Sequence, residues 1–444
     1  MTYAPPLAAS YFQGTDFGLT WLGLANAAYI QEGAQTAGVI ARTIQFAFMP
    51  TDGDVYMQAP PDPTDPTGNT PLSGYWNVDW GPGITDDLSN LVFLVSFRQG
   101  TRPASPLDPQ GAPYFFAVCI RGTDIATDYV ALAQQVLQDF NAYTVESLVN
   151  AFTGVPNPAN TAIPTGGGHV STGTAAGFSK MANIECGYET PGGIAKTGGI
   201  AAAVLDFLTA YPGVPLVVTG HSLGGCQTQI MATYLAWQVA ATSTGSSHAI
   251  YPNAYAPSTA GDGTFAAYYD GLFPYGQFWV NTLDVVPCGF ANLSTLKTLW
   301  QTYQWPAGSI DPVTQDSIAG QPGPQAPAEL VALSKNLITR VDFLAINYTR
   351  PKNGVHLMTP NPALPQPQTV LAMIVDMATP PPPAPPPTDL PTPKQQQDAT
   401  QGTAMLEWQH FMKAYAALVG GVANVINYPI IDLKTIPQQS NPET

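Results

Sequence analysis

The strongest constraint on the fold is an alternation of short, wholly apolar runs with longer stretches of helical periodicity. Leu91 to Phe97, Tyr114 to Ile120, Pro215 to Thr219, His248 to Ala256 and Gln277 to Asn281 are too short for ordinary helices and lack the period-2 alternation of a half-exposed strand. A strand loses that alternation when both faces are covered, as in a parallel sheet between two helical layers. Helical periodicity occupies about Leu19 to Ile30, Tyr129 to Phe140, Gly193 to Ala210, Gly224 to Ala241, Ala326 to Leu337 and Ala404 to Leu418. Strands and helices in turn specify an α/β fold, a mostly parallel central sheet flanked by helices. Functional groups in such sheets gather at the carboxyl ends of the strands, so motifs there matter most.

Composition narrows the partners. Charged residues make up 10% of the chain, against about 25% in an average domain, and 30 acidic against 14 basic side chains give a net charge of −16. Nucleic acid is excluded, because phosphate binding needs a positive footprint, and no polybasic segment would attract an anionic membrane. The first basic residue is Arg42 and the early segment contains Asp16, so no N-terminal secretory signal is recognisable. Ala414 to Ile431 is the nearest approach to a spanning helix, but Gly420, Gly421, Asn424, Asn427 and Pro429 interrupt it, and no transmembrane span is expected. A soluble protein is expected, cytoplasmic or exported by a route not readable in the sequence. Cys119, Cys186, Cys226 and Cys288 contain no CxxC pair, which points to buried free thiols rather than a zinc or redox centre.

The 444 residues suit one catalytic domain with insertions. Pro60 to Pro66 reads as a surface loop. Pro380 to Pro393 must be polyproline II, because proline fixes φ and has no N–H to donate; it is a rigid spacer, or a docking site for a proline-reading partner.

The chemistry centres on Gly220, Ser222 and Gly224, a GxSxG that follows an apolar run and opens a helical one. In a nucleophile elbow the serine takes a strained conformation between strand and helix. Small residues two positions to either side allow the sharp turn, and the helix brings free N–H groups and a positive dipole end to the developing oxyanion. Ser222 is therefore the candidate nucleophile. His221 beside it reads as structural, since neighbours on such a turn point apart. A serine needs an imidazole to take its proton and a carboxylate to orient that imidazole. Asp284 ends an apolar strand just before Pro287 and is the candidate acid, with Asp262 of a Gly-Asp-Gly turn as its rival. Of the five histidines, His169 and His248 precede the acid. The order serine, acid, histidine then leaves His356 and His410 as candidate bases.

Four stretches in order resemble the class 3 lipases, the fungal-type triacylglycerol lipases and their relatives: Phe115 to Thr123 with its Arg-Gly-Thr, Ala176 to Phe178, Tyr211 to Gly225, and Tyr255 to Phe265 followed by Val280 to Pro287. The resemblance implies an α/β-hydrolase fold. It also implies an oxyanion hole formed by the backbone N–H of Thr123, helped by its hydroxyl, and the N–H of Leu223, with Arg121 as an anchor of that loop. The family ends in a histidine with a tyrosine following it, which His410 and Tyr415 fit, whereas His356 resembles the short strand that precedes the catalytic histidine. The catalytic residues so implied are Ser222, Asp284 and His410. The interval from Asp284 to His410 is about double that of compact relatives, so 291–400 reads as an insertion that contains the Pro-rich spacer.

A lid follows the oxyanion strand in such lipases, and 124–165 occupies that place. Tyr129, Ala133, Val136, Leu137 and Phe140 form one apolar face, suited to core packing or to a lipid surface, while Asn150 to Gly168 reads as a mobile loop. The activity implied is hydrolysis of acylglycerols or other apolar esters, with a lipid–water interface as one place for the substrate, through an acyl-enzyme and without metal or organic cofactor. Phospholipase A1, short-chain esterase and acyltransferase are the alternatives within this chemistry. From another class comes a noncatalytic interaction protein on the same fold. Oligomeric state is not readable.

Overall fold

The computed structural model describes residues 17–30, 37–49, 57–65, 70–86, 89–102, 111–122, 144–185, 198–242, 249–296, 298–300 and 346–358, together with isolated positions that include Tyr11, Phe12 and Tyr415. Seven strands form one sheet in the order β1 (Tyr75–Ile84), β2 (Leu91–Arg98), β3 (Pro113–Ile120), β6 (Leu216–His221), β7 (Ile250–Tyr255), β8 (Gln277–Asn281) and β9 (Val355–Met358). The first three run antiparallel, and every pairing from β3 to β9 is parallel. A separate two-stranded sheet pairs β4 (Val145–Ser147) with β5 (His169–Ser171).

The unbroken apolar runs follow from this arrangement. In β3, Phe116, Val118 and Ile120 enter one core while Phe115, Ala117 and Cys119 enter the other; Val218 and Val217 divide in the same way on β6. One face is covered by α1 (Gly18–Ala27) and α2 (Ala37–Phe48), and the other by α4 (Thr172–Ala182), α5 (Ile200–Ala210) and α6 (Leu223–Ala240). Helix α1 is tied to the sheet by polar contacts as well as apolar ones: the Thr219 hydroxyl donates to the Trp21 carbonyl at 3.0 Å, and Tyr255 Oη donates to the Gly18 carbonyl. The remaining helices are α3 (Leu148–Phe152) and α7 (Gly263–Leu272), whose N-caps Ser147 and Asp262 accept from the N–H groups of Asn150 and Phe265.

The five strands expected from sequence are all present, within two residues at either end. Strand β1 is an addition. Its Asn77, Asp79, Gly81 and Pro82 argue against a buried strand, yet all ten residues are buried. Their polar contacts converge on one carboxylate oxygen: Arg98 of β2 pairs with Asp79 Oδ1 at 2.8 Å and donates to Ser96 Oγ at 2.8 Å, and Asn77 donates to the same Oδ1 at 2.9 Å, while Asp79 Oδ2 is buried without a partner.

The segment read as a mobile loop, Asn150 to Gly168, is instead fastened to α6. Phe152 stacks on Trp237 with ring centres 5.4 Å apart, Trp237 Nε1 donates to the Ala162 carbonyl at 2.8 Å, and Gln238 Oε1 accepts from the Ala159 N–H at 3.0 Å. Of the candidate lid, 144–165 is therefore packed structure, whereas 124–143, with the helix expected from Tyr129 to Phe140, lies outside the described residues. The Pro-rich spacer, Cys186, His248, Thr123 and His410 also lie outside them. Cys119, Cys226 and Cys288 are buried free thiols. Among the described residues no helix is long and apolar enough to cross a membrane.

The side chains of Arg98 and Asp79 are 0% and 1% exposed. Removing one partner of such a pair leaves an uncompensated charge in the core. Asp79→Ala should accordingly lower unfolding stability by about 3–5 kcal/mol in urea titrations.

Candidate active site

Ser222 sits between the last residue of β6 and the first turn of α6, with φ 60° and ψ −125°. A non-glycine residue held there costs about 1–3 kcal/mol, which the surroundings must offset. They do so with backbone bonds: the Ser222 N–H donates to the Tyr255 carbonyl at 2.9 Å, and the Cys226 N–H donates to the Ser222 carbonyl at 3.1 Å. The flanking glycines are required by contact. A Cβ on Gly220 would lie 2.4 Å from the Gly224 carbonyl oxygen, and one on Gly224 would lie 2.5 Å from that of Ile120. Among the described residues three further non-glycine residues have positive φ: Ala256 after β7, Phe290 after the acid loop, and Asn160 in the loop between α3 and β5.

The Arg-Gly part of the Arg-Gly-Thr motif lies directly against the elbow. A Cβ on Gly122 would be 3.2 Å from the Ser222 Cβ and 2.6 Å from the His221 carbonyl oxygen. Arg121 is buried, and its N–H donates to the Leu91 carbonyl at 3.0 Å, which holds the loop to β2. Leu223, half-buried, opens α6, so its N–H is among the four at a helix start that have no partner within the helix.

A residue that sequence reasoning missed joins the two sides. Tyr29, just after α1, accepts from the Gly122 N–H at 3.1 Å and donates to the His221 carbonyl at 3.0 Å. The His221 ring is buried, with Nδ1 3.4 Å from the same hydroxyl and its plane edge-on to Tyr415, and this fits the structural role expected of it.

Asp284 follows β8 at the same edge of the sheet and is 1% exposed. Its Oδ1 accepts from the Val286 N–H at 3.0 Å and its Oδ2 from Tyr415 Oη at 2.8 Å. Tyr415 is itself buried and accepts from the Asn281 N–H at 3.1 Å. Burial, and after it the Asp284 charge, push the Tyr415 phenol well above its ordinary range, so it remains a donor to the carboxylate.

The rival acid Asp262 is occupied elsewhere. Its Oδ1 caps α7 and its Oδ2 lies 3.0 Å from His169 Nδ1, in a pair whose imidazole is half exposed. His356 lies within β9 opposite Trp279, and the two rings stack with centres 4.3 Å apart. It is therefore level with the middle of β8, not with the loop that carries Asp284. Among the described residues no group of His, Cys, Asp or Glu could hold a metal ion.

The class 3 lipase family model matches residues 117–292, the stretch that holds the Arg-Gly pair, the elbow and the acid loop. The solved structure of M37 lipase matches with a TM-score of 0.56 and 16% identity over 94% of this chain and 97% of that one. The lipase of Rhizopus microsporus var. chinensis aligns at TM-score 0.35, 17% identity, over 65% of this chain and 72% of that one. A triacylglycerol lipase of Penicillium expansum aligns at TM-score 0.34, 18% identity, over 65% and 76%. No curated protein matches. The family match bears out the resemblance to class 3 lipases, and the fold is that of the α/β-hydrolases.

Two measurements check this description. Tyr29→Phe strands a buried N–H and unties the two loops, so it should cost about 1–3 kcal/mol in urea unfolding, while Tyr114→Phe, whose hydroxyl bond is exposed, should stay within about 0.5 kcal/mol of the wild type. Burial also lowers the His356 imidazole below its usual 6.5. As the pH falls below 6.5 the unfolded chain takes up this proton before the folded one. Stability should then decline until the folded value is passed, and His356→Gln should flatten that part of the profile.

Proposed function

We propose that the chain is a lipase-type carboxylester hydrolase acting on acylglycerols or other apolar esters. The observation that carries this reading is the strained, buried Ser222 with Gly122 packed against its Cβ and the Asp284 carboxylate at the same sheet edge. Acyl transfer by a serine needs oxyanion donors beside it and an oriented base within reach. In this mechanism Ser222 Oγ attacks the ester carbonyl and His410 takes its proton. The N–H groups of Thr123 and Leu223 hold the oxyanion while Asp284 orients the imidazolium. The alcohol leaves with the proton from His410, and water, activated by the same imidazole, releases the acid from the acyl-enzyme. Neither metal nor organic cofactor takes part.

Connectivity supports His410 over His356. His410 is five residues from Tyr415, whose hydroxyl is bonded to Asp284, so the chain keeps it within about 17 Å of that tyrosine. His356 is stacked within a strand. We take 1–444 as one catalytic domain, with 124–143 as the remaining lid segment and 291–400 as an insertion between acid and base.

Release of p-nitrophenol from butyrate and palmitate esters tests the reading. Ser222→Ala, Asp284→Ala and His410→Ala, each confirmed folded, should lose at least about a thousandfold in kcat/KM, and His356→Ala less than tenfold. A dead His356→Ala beside an active His410→Ala would overturn the base. Preference for butyrate would favour a short-chain esterase, and product formed from added alcohols an acyltransferase.

A further inference from the structure

The loop that carries Asp284 is held from behind by a segment far along the chain. Residues 346–350 run between that loop and the start of α7: the Gly263 N–H donates to the Asn347 carbonyl at 3.1 Å, the Thr349 N–H donates to the Gly261 carbonyl at 3.0 Å, and the Tyr348 ring packs on Phe290 with centres 5.1 Å apart. On the far side, the N–H groups of Lys352 and Asn353 both bond the Asp270 carboxylate before the chain enters β9. Between these two anchorages stands Arg350.

The Arg350 guanidinium donates to the Pro287 carbonyl, within the short turn Val286–Cys288 that follows the acid. Its Nε is sealed from solvent without a hydrogen-bond partner, and no carboxylate among the described residues lies within 4.0 Å of the group. Arg350 is partly exposed, yet it holds a buried, unpartnered nitrogen with no carboxylate beside it, which costs stability. What Arg350 grips is specific: the same turn supplies the Val286 N–H that fixes Asp284 Oδ1.

We propose that Arg350 is a positioning residue for the acid: through the Pro287 carbonyl it sets the turn whose Val286 N–H orients the Asp284 carboxylate. This inference rests on the ester-hydrolysis reading above. Arginine suits the task because its planar donors are pre-organised, whereas a lysine presents a flexible point charge.

The test compares Arg350→Met, Arg350→Lys and Ser222→Ala with the wild type in p-nitrophenyl butyrate hydrolysis, recording kcat, KM, the pH profile of kcat/KM and thermal unfolding. Arg350→Met should lower kcat by about 10- to 100-fold with KM within about twofold, as expected when a catalytic group moves by an ångström or less. The acid limb of its pH profile should shift to lower pH, because a displaced carboxylate stabilises the imidazolium less. Arg350→Lys should recover part of kcat. An unchanged kcat in a folded Arg350→Met overturns the proposal, as does a loss that follows the unfolded fraction with an unshifted profile. If Arg350→Met does not fold, wild-type kcat and pH profile in Arg350→Lys overturn it. Activity surviving in Ser222→Ala would instead sink the ester-hydrolysis reading itself.

Discussion

A single backbone conformation, the positive φ of Ser222, sets the terms for the centre of this molecule. It persists only because β6, α6 and the loop after β3 approach so closely that side chains at Gly220, Gly224 and Gly122 would collide with neighbouring backbone or with the Tyr29 hydroxyl. Close approach needs a strand with helices on both faces and parallel partners on both sides, which is where β6 lies. The buried polar residues of α6 are consistent with the same demand: Thr228 returns its hydroxyl to the Gly224 carbonyl, and Gln229 and Gln227 reach the carbonyls of Ser258 and Thr174.

Around this centre the candidate site is assembled from parts that are remote in sequence and joined by a few polar side chains. Tyr29 joins the loop after β3 to the elbow, Tyr415 joins Asp284 to the end of β8, and Arg350 joins the acid turn to the strap before β9. Each is a long side chain whose polar tip meets a backbone group or a carboxylate at the carboxyl edge of the sheet. The candidate residues therefore gather along strands β3 to β8. Strands β1 and β2, with the Arg98 and Asp79 pair, carry none of the candidate residues and form a flank of the sheet.

How much of this could be read from the chain depends on the range of the interaction. The doubly buried strands β2, β3, β6, β7 and β8 are legible because burial on both faces leaves an unbroken apolar run, and the elbow is legible because its steric demands fall on residues two apart. Strand β1 is not: Asp79 reads as surface until Arg98, 19 positions later, is seen to neutralise it. Helix α2, absent from the sequence reading, does repeat Ile40, Ile44, Ala47 and Phe48 at helical spacing. Tyr29 and Arg350 carry no local signature, since their partners lie 93 and 63 positions away and only the folded sheet brings them together. Asp262 misleads for a local reason, because an aspartate in a Gly-Asp-Gly turn serves as well to cap a helix as to orient an imidazole.

The bond between Asp284 and Tyr415 spans 131 positions, and this fixes the order in which the site can come together during synthesis. At cellular elongation rates the phenol is made roughly 7–26 s after the carboxylate it contacts, long enough for most of the sheet to fold around an acid that still lacks its Tyr415 donor. A nascent chain would hold the serine elbow in place well before its acid is fully coordinated. The contact between Asp284 and Tyr415 is thereby deferred until residue 415 has left the ribosome.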